Sequence, residues 1–207
     1  MTLLPDEETT IETYEKVAKM WQAGYNSTGF WAVEMKRFKE LLPSGTVLEI
    51  GAGGARDAKE LMSLGFGYVG TDISKKLLEQ AKEDLPEAEF HLMSVYDLSF
   101  PQKFDGFWAS KVLLHIPKSR IDEALAKIKT VVKPGAIGFI SLIAGEGEEL
   151  RDEEWDDGTR HKRYFAYYSK EEFKKALERN GYEMADYKYW EETSRLRWHC
   201  FFVKNVR

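Results

Sequence analysis

The sequence predicts an α/β protein: a doubly wound, mostly parallel sheet with helices on both faces and a helical cap at the N-terminus. Three observations lead there. Strand-like apolar runs alternate with helical patterns through residues 44–144. Ala136 to Ile143 is apolar throughout, as suits a strand covered on both faces. Val47-Leu48-Glu49-Ile50-Gly51-Ala52-Gly53-Gly54-Ala55-Arg56-Asp57 breaks from a buried strand through a glycine turn directly into a helix.

The elements follow in order. Ile11 to Ala23 carries Tyr14, Val17, Ala18 and Trp21 at helical spacing, and Asn26-Ser27-Thr28-Gly29 breaks it. Trp31 to Leu42 is a second helix, with Trp31, Met35, Phe38, Leu41 and Leu42 on one side. Pro43-Ser44-Gly45 ends that helix, and Thr46 to Gly51 is the first strand. A helix over Ala55 to Leu64 stops at Gly65, and Tyr68 to Ile73 is the second strand. Ser74 suits the N-cap of a helix over Lys75 to Leu85. Glu89 to Val95 and Phe104 to Ser110 are the third and fourth strands. Lys118 to Val132 is helical, striped by Ile121, Leu125, Ile128 and Val132, and leads into the apolar fifth strand. Gly145 to Arg163 is charged around Trp155 and is expected to be a long loop. Ser169 caps a helix over Lys170 to Asn180, stopped by Gly181. Tyr182 to Glu191 and Arg197 to Asn205 can pair as a closing hairpin.

Length and composition narrow the class. The 207 residues suit one domain, divisible into a helical lid at 1–43, a core at 44–144, a substrate loop at 145–168 and a closing helix and hairpin at 169–207. A net charge of −5 argues against a non-specific nucleic-acid footprint. Cys200 is the single cysteine, so no intrachain disulfide can form and a reducing, cytoplasmic setting is expected. Met1 to Glu8 is acidic and does not read as a leader, and no apolar run approaches the roughly 20 residues of a membrane span. No metal centre is expected.

The glycine turn carries the chemistry. A strand turning straight into a helix presents backbone N–H groups to a ligand, and glycine lets that backbone come close. The dinucleotide form of this turn is G-x-G-x-x-G. Here the third glycine position holds Arg56, and Glu49 just before Gly51 would repel a pyrophosphate. A carboxylate there suits a ligand with a positive group. About twenty residues on, Asp72 closes the second strand, where an acid accepts hydrogen bonds from ribose hydroxyls.

Glu49-x-Gly51-x-Gly53 with Asp72 resembles the class I methyltransferases that use S-adenosylmethionine. The resemblance extends to Ser94-Val95-Tyr96-Asp97-Leu98 after the third strand and to Phe104 through Pro117 around the fourth. It covers roughly residues 44 to 144; Ala55 departs from it, standing where the family usually has a third glycine. The resemblance implies a Rossmann-like, seven-stranded sheet whose last strand is antiparallel and inserted beside the fifth. It also implies a cofactor, S-adenosyl-L-methionine. Gly51, Ala52, Gly53 and Arg56 would meet its carboxylate, Glu49 its ammonium, Asp72 its ribose and Asp97 its adenine amine. Ile73 and Leu98 would sandwich the purine, with Tyr96 and Ser110 beside them. Thr13-Tyr14-x-x-Val17-Ala18 is similar to an N-terminal pattern of small-molecule members, in which the tyrosine closes over the cofactor.

Methyl transfer needs a base only when the acceptor must first lose a proton. His115, after the fourth strand, is the titratable group best placed for that work, although it can equally pack at the Leu114-His115-Ile116-Pro117 turn. Trp155, Arg163 and Tyr164 of the charged segment, with Tyr25 and Trp31 of the N-terminal region, are candidates to line the acceptor site. The residues at the fourth strand, Ala109-Ser110-Lys111-Val112, contain no Asn-Pro-Pro-Tyr or Asp-Pro-Pro-Tyr motif, which disfavours adenine and glutamine amino groups as acceptors. A small molecule is the expected acceptor. A non-catalytic module that holds the cofactor, a nicotinamide-dependent oxidoreductase, and a methyltransferase brought to a macromolecule by a partner subunit remain the alternatives.

Overall fold

A computed structural model describes residues 2–25, 28–193 and 196–206. Two helices come first, α1 (Pro5–Tyr25) and α2 (Ala32–Leu41). Pro5 in the first turn of α1 suits a position whose N–H has no helical partner, and Asp6, Glu7 and Glu8 oppose the positive end of the helix dipole. The break expected at Asn26-Ser27 lies outside the described residues.

The sheet strands are β1 (Thr46–Ile50), β2 (Gly67–Asp72), β3 (Glu89–Leu92), β4 (Phe104–Ser110) and β5 (Val132–Ile143). The helices α3 (Arg56–Ser63), α4 (Lys75–Asp84) and α5 (Ile121–Val131) connect them, and an antiparallel pair, β6 (Glu148–Glu154) and β7 (Arg160–Ala166), follows β5. The chain closes with α6 (Lys170–Arg179), β8 (Tyr182–Glu191) and β9 (Arg197–Asn205). The seven-stranded sheet has the order β3-β2-β1-β4-β5-β9-β8. Strands β1 to β5 are parallel, and β9 runs antiparallel between β5 and β8, as the resemblance implies. The order reverses between β1 and β4, and such a switch point opens a crevice at the carboxyl ends of the strands.

Successive residues of β4 show how both faces are covered. Trp108 stacks on Phe139 at 3.9 Å between ring centres and meets Phe38 of α2 edge-on. Phe107, on the opposite face, meets Tyr182, whose hydroxyl donates to the carbonyl of Leu125 in α5. A smaller cluster under α3 and α4 joins Ala58, Leu78, Ala81 and Leu85 to Phe90 of β3.

Three expectations change. First, α2 is not part of a lid: Trp31, Met35 and Phe38 are buried in the main core, a burial worth roughly 1.5–3 kcal/mol for each large side chain. Second, the segment after β5 is a hairpin and not an open loop. Its acidic strand lies against a basic one, Asp152 opposite Lys162, Glu153 opposite His161 and Glu154 opposite Arg160. Gly158 (φ 79°) turns the corner, where Asp157 accepts from the backbone and hydroxyl of Thr159. Opposite charges facing across two strands stabilise a pairing that apolar alternation does not announce. Third, β3 ends at Leu92, and a tight turn over Val95–Asp97 follows it.

Candidate cofactor and acceptor site

A cavity of about 180 Å³ lies at the carboxyl ends of β1, β2 and β4, with α1 across its mouth. The glycine turn forms its floor. Gly51 has φ 75°, and a Cβ there would stand 2.7 Å from Val112, so neither its backbone nor its space admits a side chain. A Cβ on Gly53 (φ 53°) would meet nothing within 4 Å, so this stretch of backbone faces open space. Ala55, which precedes α3, takes φ 67°. The glycine that the family usually has at this position is the residue for which that conformation carries no strain; alanine adopts it here at a cost of about 1–2 kcal/mol.

Two acids flank the turn. Asp72 accepts from the N–H groups of Gly53 and Ser74, each at 2.8 Å, and its half-buried carboxylate lines the cavity with acceptor capacity to spare. Burial raises its pKa. Glu49 is 2% exposed and accepts a hydrogen bond from the Tyr68 hydroxyl. Burial first, and then the neighbouring Asp57 charge, push its pKa well above the carboxylate range. Such a group favours a cation beside it. Trp108 reaches under the turn to donate to Asp57 at 2.9 Å, and Asp57 holds Arg56 at 2.6 Å, which fixes the guanidinium at the cavity wall. Ser110, at the end of β4, lines the cavity, and its buried hydroxyl has no partner among the described residues.

The cover is clasped in two places. Glu7 of α1 accepts from Tyr96 at 2.5 Å and from Arg120 at 2.6 Å. Tyr14 of α1 donates to His115 Nε2 and accepts from Arg163, both at 2.8 Å. His115 Nδ1 donates in turn to the Tyr164 carbonyl at 2.7 Å. Both ring nitrogens of His115 are therefore occupied. Burial, helped by the Arg163 charge, lowers its pKa to about 3. A ring held neutral, with its one lone pair already taken by Tyr14, is a poor proton acceptor, so the expected base role gives way to that of a clasp.

Of the residues singled out in the sequence, Glu49, Gly51, Ala52, Gly53, Arg56 and Asp72 line this one cavity. So do Ile73, Tyr96, Ser110, Tyr14 and His115. Others do not. Asp97 is exposed and Leu98 is in the main core, because the tight turn after β3 sends Tyr96 inward and Asp97 outward. Met93, Ser94 and Val95 stand at the cavity in their place. Trp31 is fully buried among Phe30, Phe139, Trp190 and Trp198. Arg163 is committed to Glu153 and Tyr14, Trp155 packs on Trp21, and Tyr164 bonds Glu148. Those three belong to the clasp and its support, not to the cavity wall. The side chain of Tyr25 lies outside the described residues. The sequence reading missed Lys111, a cavity residue, although a single cation inside the apolar run Phe107 to Leu114 marks it.

A nucleoside cofactor that carries an amino acid suits these residues. Buried Glu49 and half-buried Asp72 stand ready for an ammonium and a diol, and backbone lies open at Gly53. The fold is Rossmann-like, with the seven-stranded sheet order β3-β2-β1-β4-β5-β9-β8. Residues 47–135 match the methyltransferase domain family. Through that segment the chain is similar to S-adenosylmethionine-dependent methyltransferases.

The chain is 30% identical over 103 residues to the ubiquinone biosynthesis O-methyltransferase of Thiobacillus denitrificans, a match covering 47% of this chain and 44% of that protein. It is 30% identical over 96 residues to an uncharacterized methyltransferase of Synechocystis, covering 46% and 45%. These matches span less than half the length of the curated relatives. Among solved structures, the DhpI–SAH complex superimposes with a TM-score of 0.76 at 17% identity, over 97% of this chain and 98% of that one. The 1,6-didemethyltoxoflavin-N1-methyltransferase of Burkholderia thailandensis, solved with 1,6-didemethyltoxoflavin and S-adenosylhomocysteine, gives 0.75 at 15% identity over 100% and 93%. At these identities the likeness is one of fold.

Proposed function

We propose that this protein transfers a methyl group from S-adenosylmethionine to a small-molecule acceptor. One observation carries the reading: a cavity at the strand-order reversal brings Glu49, Asp72 and the Gly51–Gly53 turn together within the segment that matches the methyltransferase domain. Asp72 is the residue for the ribose hydroxyls, and Glu49 favours the ammonium beside it. The N-terminus of α3 with Arg56 suits the carboxylate. Ile73, Met93 and Val95 offer apolar contact for the purine, and Ser94 supplies the polar atom there in place of Asp97.

Bound S-adenosylmethionine supplies an electrophilic methyl group. The chain contributes orientation and exclusion of water. Helix α1 lines the cavity through Ile11, Tyr14 and Trp21, and the Tyr14–His115–Arg163 clasp holds the helix in place. His115 is a positioning residue in this scheme.

Relatives that act on small molecules support a small acceptor. A net charge of −5 speaks against nucleic acid. No helix among the described residues is long and apolar enough to cross a membrane. The single, buried, free Cys200 fits a cytoplasmic setting. The test is formation of S-adenosylhomocysteine across a panel of phenols, carboxylic acids, amines and thiols. Turnover of any member supports the reading. Tight cofactor binding with no product from the whole panel would favour a non-catalytic module.

A further inference from the structure

Lys111 is the residue that the cofactor reading leaves without a task. It follows the last residue of β4 and lines the cavity. Its backbone takes φ 56°, a left-handed conformation that costs a side-chain-bearing residue about 1–2 kcal/mol and recurs at functional sites. Its N–H donates to the Ser141 hydroxyl at 2.9 Å, which pins the strained residue to β5.

The ammonium lies among aromatic rings, 3.6 Å from the ring centre of Phe30, 4.7 Å from that of Trp198 and 5.5 Å from that of Trp31. No hydrogen bond or ion pair to a described residue satisfies its three donors. Ring faces attract a cation but do not replace hydrogen-bond acceptors. A mostly buried ammonium on a residue that lines the cavity, without an acceptor among the described residues, calls for an anion from the ligand.

Two parts of a bound pair could bring that anion: the amino-acid carboxylate of the cofactor, or the acceptor. In the proposed reading the carboxylate takes the N-terminus of α3 and Arg56. Lys111 follows β4, shares the Phe30 ring with Arg56 and lies against the further aromatic surfaces of Trp198 and Trp31. We propose that Lys111 is the anion-binding residue of the acceptor subsite, and that the acceptor is a small organic acid whose carboxylate or ionised hydroxyl pairs with it. This rests on the methyltransferase reading. Lys111 positions the acceptor and keeps its own proton throughout.

The pH behaviour adds a signature. Burial, with the Arg56 charge, lowers the Lys111 pKa to about 8, while Glu192, Asp57 and Cys200 act in the opposite direction. Acid binding should therefore weaken as pH rises through 8 in the wild-type protein.

The experiment uses the full chain saturated with S-adenosylhomocysteine. Binding of benzoate and 4-hydroxybenzoate is measured by calorimetry against benzamide, 4-hydroxybenzamide and benzylamine, for wild type, Lys111→Met and Lys111→Arg. The expected result is that acids bind about tenfold or more tightly than amides. Lys111→Met should abolish that preference. Lys111→Arg should keep it and remove its decline above pH 8. Equal binding of acids and amides, preference for the amine, or no binding of either acid at millimolar concentration overturns the proposal. So does loss of S-adenosylhomocysteine affinity in Lys111→Met, which would assign the lysine to the cofactor's carboxylate. Failure of wild-type protein to bind S-adenosylhomocysteine would instead defeat the methyltransferase reading itself.

Discussion

Acidification should loosen the clasp over the cavity, and His115 sets the size of the effect. Its ring is held neutral between Tyr14 and the Tyr164 carbonyl, with Arg163 close by. In the unfolded chain the group titrates near 6.5, and in the fold it titrates near 3. Between these values the unfolded state binds a proton that the folded state refuses, so stability falls as pH drops below 6.5. At pH 5 the gap of 1.5 units amounts to about 2 kcal/mol as a ceiling, at about 1.4 kcal/mol per unit. His115 keeps some contact with solvent, so about 1–2 kcal/mol is the working expectation. The assay is urea unfolding of wild type and His115→Gln at pH 7 and pH 5. Glutamine does not titrate, and its amide can bond only part of what the ring bonds. The variant should be less stable at pH 7 by about 1–2 kcal/mol. The difference between the two proteins should shrink by a similar amount at pH 5. An equal loss on acidification in both proteins would refute the reasoning, because the pH sensitivity would then lie in other groups.

Other perturbations give separate readouts. Asp72→Asn should weaken S-adenosylmethionine binding about tenfold or more, measured by calorimetry, with the fold retained because the amide oxygen still accepts one backbone N–H. Gly51→Ala should cost about 2–4 kcal/mol in urea unfolding, since it adds left-handed strain to a Cβ 2.7 Å from Val112. Glu7→Gln should release α1, seen as faster proteolysis within residues 2–25, because the variant keeps the Tyr96 contact but leaves Arg120 with Glu123 alone for charge. Ala55→Gly should leave stability within about 1 kcal/mol of wild type. Relief of about 1–2 kcal/mol of strain is offset by about 0.8 for the lost methyl and about 0.4–1 for glycine's freedom in the unfolded chain.

The sheet was readable because its strands obey local rules. β8 and β9 coincide with the runs Tyr182 to Glu191 and Arg197 to Asn205, and β4 with Phe104 to Ser110. β6 and β7 were not readable, because their pairing rests on acids meeting bases across the strands, a pattern that also describes a solvated loop. The same division holds at the site. Glu49, Gly51 and Asp72 stand at strand ends, so knowing the strands was enough to bring them together. Asp97 sits only three residues past Ser94, and a single tight turn decides which of the two faces the cavity. The aromatic candidates Trp31, Trp155 and Tyr164 were ambiguous for another reason: an aromatic side chain that closes a core and one that lines a pocket look alike until the packing is known. Lys111 depends on a left-handed backbone angle that no residue type signals.

The most direct measurement is a calorimetric titration of the full chain with S-adenosylmethionine, set beside one with reduced nicotinamide dinucleotide. With Glu49 and Asp72 flanking the Gly51 turn, saturable one-to-one binding of S-adenosylmethionine is expected, weakened by Asp72→Asn, with none for the dinucleotide. Binding of the dinucleotide without S-adenosylmethionine would contradict the assignment of this cavity.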